Sequence, residues 1–115
     1  RIGILYQLLG ETSLGIRHWM DWYTDRTQYA DWYLTLSPER LLACDEELVR
    51  ILYAQSDGLQ NALRCGMPVE EKTITRYLHT AQTARLRLQQ CGSRYTRLID
   101  ELTAPFNGTE GDTIH

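Results

Sequence analysis

The sequence predicts an all-α fold: an antiparallel up-down-up three-helix bundle with coiled-coil-like heptad packing and a flexible C-terminal tail. Three observations predict it. Counting in sevens from Ile74 meets Ala81, Leu88, Tyr95 and Leu102, and the positions three residues after the first four are Tyr77, Ala84, Cys91 and Leu98. Residues 69–102 therefore carry an unbroken apolar a/d seam, the pattern of a helix that packs one stripe on its neighbours. Two short breaks, Ser37-Pro38 and Cys65-Gly66-Met67-Pro68, cut the remaining chain into long stretches. With 115 residues, 43% of them hydrophobic and 23% charged, the chain suffices for one globular domain and falls short of two. We expect a single domain over residues 1–104, with helices at about 3–36, 38–64 and 68–103, and a tail over 105–115.

In the first helix, Ile16, Trp19, Tyr23, Ala30 and Tyr33 recur at helical spacing, and Arg17, Asp21, Asp25 and Arg26 are available for the wet side. Gly10 and Gly15 weaken its start, each costing a helix interior about 1 kcal/mol relative to alanine. Trp19, Trp22, Tyr23, Tyr29, Trp32 and Tyr33 fall within a single stretch, 19–33. At about 100° per residue these rings cannot share one narrow stripe. Trp19, Tyr23 and Tyr33 are assigned to the core. Trp22, Tyr29 and Trp32 either flank it or form an exposed aromatic patch suited to a protein partner, extended by Tyr6, Leu8 and Leu9.

Ser37-Pro38-Glu39 starts the second helix: serine caps the orphan amides, proline suits the first helical position, and glutamate suits the positive end of the dipole. Leu41, Cys44, Leu48, Leu52, Leu59 and Ala62 form its buried stripe, with Gln55 as the polar exception. Gly66 is placed to end this helix in a left-handed cap. The third helix opens at Met67-Pro68 with Glu70 and Glu71 in its first turn and is expected to end at Pro105. Leu41 with Tyr95, Leu48 with Leu88, Leu52 with Ala84 and Leu59 with Tyr77 share one register across an antiparallel hairpin, and turns this short force that arrangement.

The formal charge of −3 is small, but its distribution is uneven. Lys72, Arg76, Arg85, Arg87, Arg94 and Arg97 lie in a stretch, 72–99, that contains no acid, whereas the rest of the chain is acidic. Intramolecular complementarity accounts for this pattern. A possible anion or nucleic-acid face would use Arg76, Arg85, Arg87, Arg94 and Arg97, but these make two partial rows rather than a dense stripe, so nucleic acid is not the expected partner.

No chemistry-bearing motif stands out. His18, His79 and His115 lack metal-ligand spacing, and Cys44, Cys65 and Cys91 include no C-x-x-C pair. Asp45-Glu46-Glu47 point in three directions on a helix and cannot converge on a substrate. No catalytic residue, metal or cofactor is therefore expected. Cys44 and Cys91 face one another at the same predicted height. A disulfide is conceivable there, although an odd number of cysteines favours free thiols and a reducing compartment such as the cytoplasm. No apolar run approaches the roughly 20 residues of a membrane span. Because the chain opens on Arg1 rather than methionine, compartment is not read from its start.

Three long helices, a tryptophan in the first, and Leu88-Gln-Gln-Cys-Gly-Ser-Arg-Tyr-Thr-Arg-Leu98 in the third are similar in layout to a spectrin-type repeat, with Tyr95 in the place of the usual aromatic. The resemblance implies topology only. It departs at the missing second tryptophan and the shortened second helix. The expected function is a non-catalytic protein-protein interaction module, a scaffold or adaptor subunit that binds another protein or itself. A small dedicated chaperone or inhibitor is the first alternative, and a nucleic-acid binder using the basic helix is the second.

Overall fold

Two glycines with positive φ, Gly66 at 75° and Gly92 at 79°, decide where the long helices stop. The computed structural model describes residues 12–114, with side chains over 15–107. It contains α1 (Thr12–Tyr33), α2 (Pro38–Ala43), α3 (Asp45–Arg64), α4 (Glu71–Gln90) and α5 (Thr96–Ile114). The described residues form an all-α structure without strands.

The same cap closes α3 and α4. Gly66 N donates to Leu63 O at 3.1 Å and Met67 N to Ala62 O at 2.9 Å; Gly92 N donates to Gln89 O at 3.2 Å and Ser93 N to Leu88 O at 2.9 Å. These are paired Schellman bonds, which satisfy the last carbonyls only if the residue after the C-cap is left-handed, a conformation glycine adopts freely. The sequence supports the first stop. The second corrects the expectation of one helix over 68–103, because the chain turns at 91–95 and α5 folds back on α4. Contacts step in opposite directions along the two: Arg85 meets Asp100 at 2.7 Å, while Tyr77, eight residues earlier, meets Phe106, six residues later. The break falls inside the segment that resembled a spectrin-type repeat, and the long third helix on which that likeness rests is absent.

The predicted second helix is also divided. Ser37 caps α2 by accepting from Arg40 N, and Cys44 ends it with φ −124°. The chain then restarts as α3, whose first turn carries Asp45, Glu46 and Glu47, the charge its positive end prefers. Asp45 is further held by Ser93 Oγ, which donates to Asp45 Oδ2 at 2.7 Å.

Packing joins α1 to α3, α3 to α5, α4 to α5, and α2 to α4. Leu41, Leu48, Leu52, Leu59, Ala81, Ala84, Leu88 and Ile99 are sealed in the shared core. Gln55, Ser56 and Tyr77 each find a partner there for a buried polar group, as desolvation requires. Gln55 Nε2 donates to Thr27 Oγ1 at 2.8 Å and Tyr23 O at 3.4 Å. Ser56 Oγ donates to Leu102 O, and Tyr77 Oη to Leu52 O, both at 2.8 Å. These bonds tie α1 to α3, α3 to α5, and α4 to α3.

The C-terminal tail expected from Pro105 onward requires correction. Pro105 lies inside α5 and Phe106 is buried, its ring edge-on to Tyr77 with centroids 5.6 Å apart. Proline removes one helical hydrogen bond and disfavours the helix interior, but burial of the next residue carries the helix across it. Among the described residues no helix is long and apolar enough to cross a membrane.

Candidate functional site

Two of the aromatic side chains of α1 stand out into solvent. Tyr29 and Trp32, one turn apart, are 55% and 58% exposed. Arg26 lies over the Tyr29 ring at 5.7 Å, and Trp32 meets Tyr33 edge-on at 5.1 Å. Tyr33 is half-buried, and burial, followed by Cys44, Glu47 and Tyr29, holds its phenol above the usual range.

Trp22 flanks the core. It is half-buried against Gly58 of α3, where a Cβ would lie 2.7 Å from the indole Cζ3. Only glycine admits so close an approach, so Trp22 works chiefly as the ring that seats α1 on α3. Trp19 stacks on Tyr23 at 5.1 Å and belongs to the same packing. Tyr6, Leu8 and Leu9 lie outside the described residues.

The basic residues are mostly occupied within the chain. Arg76 pairs with Asp31 at 2.8 Å and Arg85 with Asp100 at 2.7 Å. Arg87 donates to Leu34 O and, at 2.6 Å, to Leu36 O, so it closes the carbonyls left open after α1. Arg94 lies over Tyr95, 5.1 Å from the ring centroid, and bonds its hydroxyl, which in turn reaches Glu46 at 3.3 Å. Arg97 is exposed. Since Arg76 and Arg85 lean to opposite partners, α1 and α5, the structure does not gather these five residues into one anion face.

Cys44, Cys65 and Cys91 are free thiols. Cys44 Sγ donates to Arg40 O at 3.0 Å, and burial raises its pKa, assisted by Glu47 and Asp45. Among the described residues no group of three or more His, Cys, Asp or Glu is arranged to hold a metal.

Two features were absent from the sequence reading. Tyr53 and Leu86 expose more than half of their surface on α3 and α4; both fall outside the apolar stripe, which is the one signal that could have flagged them. A groove lies between α1 and the start of α4, lined by Met20, Tyr23, Thr24, Lys72, Thr73 and Arg76. No local pattern foretells it, because it joins elements that are not consecutive. No known protein family, curated protein or solved structure matches this chain.

Proposed function

We propose that the chain is a non-catalytic helical interaction module, a scaffold or adaptor subunit that captures another protein through the outer face of α1. The observation that carries this reading is the pair Tyr29 and Trp32, each more than half exposed, mounted on a helix whose inner side is fixed by Tyr23, Ala30 and the Gln55 bonds. Rigid aromatic side chains displayed together are the residues that most often dominate binding energy at protein interfaces. Trp22 contributes by holding α1 in place. In this reading consecutive long helices run antiparallel, as the stepping of the α4–α5 contacts supports.

A photo-crosslinking residue placed at Trp32, with the same residue at Tyr53 as control, tests the assignment in cells. A discrete crosslinked protein from position 32, lost with Tyr29→Ala and missing from position 53, supports it. No discrete product, or the same products from both positions, refutes it. Light scattering over a range of concentrations then separates capture of a different protein from self-association. The nucleic-acid alternative would require affinity that falls steeply with salt, and the lean of Arg76 and Arg85 toward opposite partners, α1 and α5, weighs against it.

A further inference from the structure

The groove between α1 and α4 has the size and chemistry of a small-ligand site. Its volume is about 380 Å³, with Met20, Tyr23 and Thr24 on one wall and Lys72, Thr73 and Arg76 on the other. Tyr23 is only 4% exposed, and none of the hydrogen bonds among the described residues uses its hydroxyl. Tyr77, equally buried, commits its own hydroxyl to Leu52 O. Tyr23 lines the groove, within electrostatic reach of Arg76.

Side chains of three kinds thus line it: a buried phenol, an ammonium and a guanidinium. Also at the groove, α4 begins at Glu71 with no side-chain cap from Glu70, which adds the positive end of the helix dipole. Both cations have resting partners, Asp31 for Arg76 and Glu70 for Lys72, and all four side chains are 45% or more exposed. Exposed pairs of this kind are weak and exchange readily for a doubly charged ligand. Met20 and the Tyr23 ring supply apolar surface beside them.

We infer that this groove binds a small phosphate monoester, the dianion held by Lys72, Arg76 and the Tyr23 hydroxyl, with an apolar body lying along Met20 and the Tyr23 ring. The guanidinium fork and the ammonium suit phosphate oxygens, and the phenol supplies a neutral donor that a bare surface cation pair would lack.

The test is an amide NMR titration of the whole chain with phenyl phosphate and, separately, with inorganic phosphate. Phenyl phosphate is expected to saturate with a Kd of about 1 mM or tighter, with shifts confined to residues 20–27 and 70–77. Tyr23→Phe, which keeps the ring and its packing, should weaken binding about tenfold. Asp31→Asn should strengthen it about threefold by releasing Arg76, a gain that structural damage would not produce. The inference is overturned by a titration that does not saturate, by shifts spread equally over Arg85, Arg94 and Arg97, by weaker binding in Asp31→Asn, or by inorganic phosphate binding as tightly as phenyl phosphate.

Discussion

Gly92→Ala has opposite expected signs in the two arrangements that the heptad seam allows. In an unbroken helix over 68–103, Gly92 would sit in the interior, and alanine would stabilise the protein by about 0.5–1 kcal/mol. In the observed structure Gly92 has φ 79°, and nothing lies within 4 Å of a Cβ built there. The cost is therefore that of the backbone alone, about 1–2 kcal/mol for holding an L-residue in the left-handed region. Reduced freedom of the unfolded chain offsets about 0.4–1 kcal/mol of it. A net loss of about 1 kcal/mol is expected. Gly66 is an internal standard, with φ 75° and equally open surroundings; its alanine variant should lose a similar amount, and Gly92→Asn, which tolerates this conformation better, should lose less. Urea unfolding followed by circular dichroism reads the change as a lower midpoint at unchanged slope, and the melting temperature should fall by about 4 °C. Stabilisation by Gly92→Ala would refute the α4–α5 turn and restore the continuous helix.

Further outcomes follow from burial. Phe106→Ala should destabilise the domain by about 3–5 kcal/mol through loss of a sealed ring and the cavity left beside Tyr77; a loss below about 1 kcal/mol in urea melts would return the residues after Pro105 to a flexible tail. Burial raises the phenol pKa of both Tyr23 and Tyr77. A group whose folded pKa is raised contributes stability that is fully present below its unfolded value and is lost as pH rises toward the folded one, so these two phenols should make unfolding free energy decline above pH about 10. Urea melts across that range check this, and Tyr77→Phe should flatten the decline; an unchanged slope would mean that this phenol titrates at its ordinary value.

Much of this organisation was legible locally. The all-α class follows from periodicity, the start of α2 from Ser37-Pro38-Glu39, and the end of α3 from Gly66, because each depends on residues within a turn of one another. The outward place of Tyr29 and Trp32 follows from angles: six rings at helical rotation overfill one stripe, so some must face outward. Angles alone do not decide which ring packing recovers. Trp22 was recovered because Gly58, 36 positions away, leaves room for it, and sequence spacing within α1 carries no information about that glycine.

The sequence by itself determined that the protein is helical, where the first two long stretches part, and which residues are apolar enough to form a core. Only the tertiary structure decided that the seam over 74–102 is two helices. Its residues keep their sevenfold spacing through the turn at 91–95, and residues from both halves are buried in the same core once α5 folds back. Periodicity records which face is apolar, but not whether the axis runs straight between two turns. Tertiary packing alone likewise drew Phe106 inward past Pro105, seated Trp22 against Gly58, and brought Tyr23, Lys72 and Arg76 to one groove. Each of these contacts joins positions far apart in the chain, and local propensities of about 1 kcal/mol are readily outweighed by the burial of one large side chain.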